Sequence, residues 1–320
     1  MPEIHHNPAG GRRKSAVLAN MTCVLFWGFS FISIKVAVEY LPPMTLGAAR
    51  FAIAVALLFF MYRFIPVKQG QKNPIKPIKK DLPLLLCSGL TGVTFYFFAE
   101  NNGVLLVTAS EASIIVASIP IFAMIADWIL AKITTVSMTL GLRHWLGAFI
   151  SVAGVALVAG VSFSLSGSIT GYVYMGAAAL SWVAYGLLTK PLFERGRPRT
   201  YIVFWQNLFG FLGFLPFALL ERSAWIMPPV PVIFHVLFLG LICSAMGYWL
   251  YAHSLEVLGV SISAVFLNLV PVITVIAGFF LLGDRLAALQ WVGGALVICG
   301  VYLAVLPKKS LPKTMHSIDT

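Results

Sequence analysis

Apolar residues along this chain gather in runs of roughly 20, separated by short polar or charged stretches. That is the length one helix needs to cross a hydrocarbon core. Ten runs can be marked: Ala16–Val38, Pro43–Tyr62, Leu82–Asn101, Thr108–Leu130, Trp145–Val161, Tyr172–Leu188, Tyr201–Leu220, Pro231–Tyr251, Val260–Leu282 and Leu286–Leu306. The intervals are too short for a soluble domain. The pattern predicts an all-α polytopic membrane protein with ten transmembrane helices. Composition agrees, at 59% hydrophobic and 10% charged, where soluble domains carry about a quarter charged residues. Cys23, Cys87, Cys243 and Cys299 all lie inside apolar runs. They show neither metal-ligand spacing nor a disulfide framework, and read as small packing residues. Residues 1–15 are polar and end in Arg12, Arg13 and Lys14, as the start of a signal peptide does. The run after them is long enough to span, however, and no small-residue cleavage site follows it.

Charge changes the picture by giving the helices a direction. Of the 22 lysines and arginines, 18 fall at one end of the alternating spans. These are residues 12–14, 63–80, 132–143, 190–199 and the three lysines from Lys308 to Lys313. Arg222 and Arg285 mark the other end, while Lys35 and Arg50 lie within spans. The positive-inside rule then predicts a multi-pass protein of the cell (inner or plasma) membrane with both termini cytoplasmic. The net charge of +11 reads as contact with anionic membrane lipid, not nucleic acid.

The two halves repeat each other. Ser110, Ser113, Ala117 and Pro120 correspond to Ser261, Ala264, Asn268 and Pro271 at an offset of 151, along one helix face. Gly89 matches Gly240 at the same offset. Trp27, Lys35, Pro43 and Thr45 match Trp182, Lys190, Pro198 and Thr200 at 155; Trp145, Gly147 and Gly154 match Trp291, Gly293 and Gly300 at 146. Five spans per half is odd, so the second copy enters the membrane the other way up. Such inverted repeats are typical of secondary transporters with a site near the midplane. The expected organisation is a cytoplasmic tail at 1–15, repeats at 16–161 and 172–306, and a second cytoplasmic tail at 307–320. A homo-oligomer is compatible with the glycine pairs, which fit close approach of the fifth and tenth spans or of two protomers.

Candidate site residues follow from polar groups at membrane depth. Arg50 lies about 10 Å into the second span at 1.5 Å per residue, where a charge faces a cavity or a partner. It is a clamp for a substrate carboxylate, a structural partner of Glu39, Glu100 or Glu111, or a side chain that snorkels outward. Lys35 and Lys190 are repeat mates near opposite membrane faces, read as gate charges or as snorkelling helix-end lysines. Glu100 and Glu111, with Asn101 and Asn102, flank a short turn and read first as solvated turn residues, with a polar vestibule, a proton-responsive pair or an amine site as the functional alternatives. Asp127 reads as a partner of Lys132 or of the interface. Asn268 is a mid-span amide that needs a ligand or a helix–helix bond, as do Gln206 and Asn207. Trp27, Trp182, Tyr251 and their aromatic neighbours offer stacking faces, although most are expected in the lipid belt. Pro120 and Pro271 are expected hinges. No P-loop, HExxH, CxxC or GxSxG occurs, so no cofactor, metal or catalytic residue is expected and an enzyme is disfavoured.

Together, Trp27-Gly28-Phe29-Ser30-Phe31, Arg50-Phe51, Ser110-Glu111-Ala112-Ser113 to Pro120, and Ser263-Ala264 to Pro271 resemble the EamA branch of the drug/metabolite transporter (DMT) superfamily. So do Leu282-Gly283-Asp284-Arg285 and Gln290-Trp291-Val292-Gly293-Gly294 to Gly300. The resemblance spans about residues 16–306 and implies a ten-span exporter of small metabolites working by alternating access. Asp284 stands where the family often has a glutamate. Amino acids or related zwitterions suit one cation among amides and aromatic faces, with proton coupling through Glu100 or Glu111. Alternatives are a nucleotide-sugar, phosphate-ester or drug carrier of the same superfamily, and a membrane receptor or scaffold.

Overall fold

The computed structural model describes residues 8–64, 76–107, 109–134, 140–160, 168–282 and 287–306. Residues 1–7, the tail at 307–320, Lys68, Lys72, Thr108, Val161 and the Gly283–Arg285 stretch lie outside the described residues, as does the side chain of Ser110. The described chain forms α1 (Gly11–Ala37), α2 (Pro43–Phe64), α3 (Leu82–Val104), α4 (Glu111–Ile133), α5 (Leu142–Val158), α6 (Ile169–Glu194), α7 (Arg199–Leu220), α8 (Val230–Leu258), α9 (Val260–Leu281) and α10 (Ala288–Val305). Nine of these are long and apolar enough to cross a membrane, and α5 is apolar but shorter. No strand occurs among the described residues. The protein is an all-α, multi-pass membrane protein.

The helix ends differ from the apolar windows where local chemistry overrides hydropathy. Helix α5 starts three residues before Trp145, because His144 Nδ1 accepts the Gly141 N–H at 2.8 Å and satisfies a first-turn donor. It stops before Val161 because Gly160 takes a φ of 72°, a left-handed terminus glycine adopts without strain. Helix α6 runs on through Lys190 to Glu194, beyond Leu188, since charged residues are at home where a helix leaves the apolar layer.

The repeat appears as reciprocal contacts. Helices α3 and α8 each contain a π-helical stretch, Leu90–Phe95 and Phe238–Met246, overlapping at the sequence offset of 151. Beside them, a Cβ on Gly89 would lie 2.5 Å from the Gln206 carbonyl oxygen of α7, and one on Gly240 would lie 2.6 Å from Ile53 of α2. Thus α3 lies close on α7 through the Gln206 backbone, and α8 lies close on α2 through the Ile53 side chain and, at 3.0 Å, the Arg50 carbonyl oxygen. The glycine pairs of α5 and α10 meet each other within one chain. A Cβ on Gly147 would lie 2.5 Å from the Gly300 oxygen, and one on Gly154 would lie 2.7 Å from the Gly293 oxygen. Small residues let membrane helices approach this closely and gain dispersion contacts that lipid cannot match.

Candidate functional site

A cavity of about 430 Å³ lies between the two halves, walled by α1 to α6, α8 and α9. Most wall residues come from the half of the bundle remote from the chain termini, while Trp182, Tyr248 and Leu267 lie near its middle. Helix α1 supplies Trp27, Ser30, Phe31 and Ile34; α2 supplies Arg50; α3 supplies Tyr96, Phe97, Glu100 and Val104. Helix α4 faces α9 across the space, with Ala112, Ser113 and Val116 opposite Val270, Pro271, Thr274 and Val275.

The two broken helices explain the polar backbone in this wall. Helix α4 is interrupted at Ser118, between Ala109–Ala117 and Ile119–Thr134. Helix α9 passes through a 3-10 turn at Phe266–Asn268. Pro120 and Pro271 follow these breaks, and each lacks the N–H that would bond the carbonyl four residues earlier. Those residues are Val116 and Leu267, and both line the cavity. Irregular backbone at membrane depth is tolerated in such a place.

Arg50 and Glu100 are the charged residues of the wall. Arg50 is 5% exposed. Its Nε donates to Ser244 Oγ of α8 at 2.8 Å. The guanidinium lies 5.2 Å from the Phe97 ring centre and 5.6 Å from that of Phe51, held by cation–π attraction. No carboxylate pairs with it among the described residues, so the structural ion pair with Glu39, Glu100 or Glu111 is not made. Its two terminal nitrogens have no protein partner there. Glu100, half-buried, accepts from the Tyr96 hydroxyl at 2.8 Å.

Below Arg50 lies an aromatic floor. Trp27 meets Trp182 at 5.5 Å between ring centres, Tyr251 at 5.5 Å and Tyr248 at 5.9 Å. Tyr96 meets Trp182 at 4.9 Å. Trp27 Nε1 donates to the Cys243 carbonyl, Trp182 Nε1 to the Tyr251 hydroxyl, and Tyr248 OH to the Gly92 carbonyl, while Tyr96 OH turns to Glu100 on the wall. The expectation that most aromatics belong to the lipid belt is corrected for Trp27, Tyr96, Phe97, Trp182, Tyr248 and Tyr251. An all-apolar helix gives no periodic signal to separate its inner face from its lipid face.

The opposite half is shut. Asn20 Nδ2 donates to Ser254 Oγ at 2.8 Å and to the Ser263 carbonyl at 3.1 Å, and the two serine hydroxyls bond at 2.7 Å. Asp127 accepts from the Ser261 hydroxyl, joining α4 to α9. Nearer the termini, Glu256 takes Arg12 directly and Arg199 at 3.8 Å, while Ser15 bonds His253 at 2.8 Å. Residues 119–134 thus pack on residues 260–265. The repeat-related segments, the first half of α4 and the last half of α9, stand apart across the cavity. The molecule is closed at the terminal end and hollow at the other.

Other sequence candidates lie off the wall. Tyr251 sits beneath it, 1% exposed. Asn268 is buried and donates to Ser151 Oγ of α5 at 2.7 Å, a helix–helix bond. Gln206 joins Ser88 and Thr189 in the same way. Glu111 is buried and accepts from Tyr172 OH at 2.6 Å. Asn101 and Asn102 are half-buried, and Asn102 bonds the Phe98 carbonyl. Lys35 and Lys190 are exposed at helix ends, away from the cavity. Asp127 does not pair with Lys132, which lies over the Trp128 ring. Sequence reasoning missed Ser244, Thr274 and the Glu256 cluster. A serine in an apolar run or a glutamate near a helix end is common enough to carry no signal alone.

The described residues form a multi-pass membrane bundle of nine candidate spanning helices and a shorter apolar one, with a hollow among them. The EamA-like transporter family matches residues 14–160 and 169–306, and the chain belongs to that family. It is a membrane transporter rather than an enzyme. An uncharacterized transporter of Archaeoglobus fulgidus is 28% identical, over 92% of this chain and 99% of its own length. A probable terminal-alkyne amino-acid exporter of Streptantibioticus cattleyicolor is 28% identical over 91% of this chain and 93% of its own. A probable amino-acid metabolite efflux pump of Salmonella typhimurium is 28% identical over 92% and 95%. One crystal structure of a protein shares the fold at a TM-score of 0.73 and 20% identity, covering 91% of this chain and 97% of that one.

Proposed function

We propose that the protein exports small zwitterionic metabolites, amino acids foremost, across the cell membrane by alternating access. The carrying observation is Arg50, a buried cation on the cavity wall with its Nε anchored and its terminal nitrogens unpartnered. A substrate carboxylate satisfies those nitrogens with two charge-assisted bonds. The names of the Streptantibioticus and Salmonella relatives support the same substrate class. A nucleotide sugar or phosphate ester carries at least two negative charges, and the wall offers one cation because Lys35 and Lys190 lie elsewhere. With the basic end cytoplasmic, as the distribution of lysine and arginine favours, the hollow faces outward. One half then rocks against the other, with Pro120 and Pro271 as hinge points.

The test is efflux from cells loaded with labelled amino acids, comparing wild type with Arg50→Gln at equal membrane abundance, at pH 6 and pH 8. The expected outcome is selective efflux that falls at least tenfold in the variant. Flux that follows pH supports proton coupling. Equal efflux from both proteins would remove the clamp, and absence of any amino-acid flux would remove the substrate class.

A further inference from the structure

We propose that Glu100 reads the ammonium group of the substrate and makes the carrier selective for amino acids over their des-amino analogues. This rests on the reading of Arg50 as the carboxylate clamp.

The cavity holds two charges of opposite sign that do not pair with each other. Each is restrained by something else. Arg50 is tied to Ser244 and lies against Phe97 and Phe51. Glu100 is tied to Tyr96, whose ring is wedged between Phe97 at 5.1 Å and Trp182 at 4.9 Å. No lysine, arginine or histidine pairs with Glu100 among the described residues. Its Oε1 is used by Tyr96, which leaves Oε2 to accept from a ligand. Opposite charges without a direct partner in a mostly apolar cavity carry an uncompensated desolvation cost, which a ligand bridging both offsets. An α-amino acid carries a carboxylate and an ammonium on one carbon, so one neutral molecule supplies both counter-charges. Its side chain then falls to the aromatic floor of Trp27, Trp182 and Tyr248.

The same pair rejects near relatives. A carboxylic acid without the amine satisfies Arg50 but brings its charge toward a second carboxylate. An amine without the carboxylate satisfies Glu100 and leaves Arg50 unpaired. Discrimination by an unsatisfied or repelled charge is stronger than discrimination by shape.

The test uses the purified full-length protein in liposomes, with labelled leucine as probe. The competitors are 4-methylpentanoate, which lacks the amine, and isoamylamine, which lacks the carboxylate. In wild type, leucine is moved and each competitor inhibits measurably but only at concentrations at least about tenfold above the leucine KM. Glu100→Gln should raise the leucine KM at least tenfold while inhibition by 4-methylpentanoate stays equal or strengthens. Glu100→Asp should recover part of the loss, and Tyr96→Phe should give a smaller loss in the same direction. Arg50→Gln should weaken leucine and 4-methylpentanoate together. Retained 4-methylpentanoate inhibition shows that Glu100→Gln is folded. The proposal is overturned if Glu100→Gln leaves the leucine KM within twofold, or if it weakens both ligands equally. It is also overturned if it removes only the pH response of flux. A wild type that moves no amino acid overturns the parent reading instead.

Discussion

Arg50 is anchored rather than paired, and that decides what its neighbours are for. A guanidinium with a free fork rotates to any acceptor. Here the Ser244 hydroxyl holds Nε at 2.8 Å and the Phe97 and Phe51 rings lie 5.2 and 5.6 Å from the guanidinium carbon, so the group is restrained on the cavity wall. Hydrogen bonds to charged groups contribute about 1.5–3 kcal/mol. Ser244→Ala should therefore raise substrate KM by about tenfold or more with the turnover rate nearly unchanged, measured in the liposome assay. An unchanged KM would mean the Ser244 bond does not orient the clamp. At this scale the sequence was half legible. Arg50 stands out because a charge at membrane depth is rare, whereas Glu100 is flagged only as a carboxylate beside the short turn that follows its span. Asn268 stands out equally, yet bonds Ser151, because a lone amide is satisfied as well by a neighbouring helix as by a ligand. Ser244 was invisible, since a hydroxyl in an apolar run has many innocent uses.

Helices α5 and α10 show what a single element contributes. Their contact is legible from the glycines at i and i+7, which is one face of a helix. The structure adds that the contact is backbone to backbone. A Cβ on Gly154 would meet the Gly293 oxygen and the Val297 nitrogen, both at 2.7 Å, and backbone cannot step aside as a side chain can. Gly154→Val should cost about 1–3 kcal/mol or more from overpacking. Gly176 in α6 has nothing within 4 Å of an added Cβ, so Gly176→Ala should be neutral or stabilising by up to about 1 kcal/mol through helix propensity. Thermal unfolding of the two variants in one detergent checks the pair. A Gly154→Val protein as stable as wild type would show that the helices can separate freely. The π-helical stretches of α3 and α8 were not legible, because an extra residue in a turn leaves the apolar pattern of a fully apolar helix unchanged.

The whole molecule raises a question the sequence is symmetric about. Two inverted halves, as the repeat in the sequence predicts, would enclose a cavity without saying which end is open. That depends on small differences between repeat-related contacts. Here the second half of α4 is bonded to the start of α9 through Asp127 and Ser261. The symmetry-related contact at the other end is replaced by the hollow. If transport requires the two contacts to alternate, fixing one must stop it. Asp127→Cys combined with Ser261→Cys, in a chain whose exposed Cys87 and Cys299 are replaced, should form a disulfide under mild oxidant. Export should then stop and return on reduction. In the locked protein a cysteine at Ser113, on the cavity wall, should react with a membrane-impermeant maleimide added outside the cell. Two failures have different meanings. Continued export by the cross-linked protein would show that α4 and α9 need not part at the terminal end. Blocked export with Ser113→Cys protected from the outside reagent would show that the hollow opens to the cytoplasm, reversing the membrane orientation.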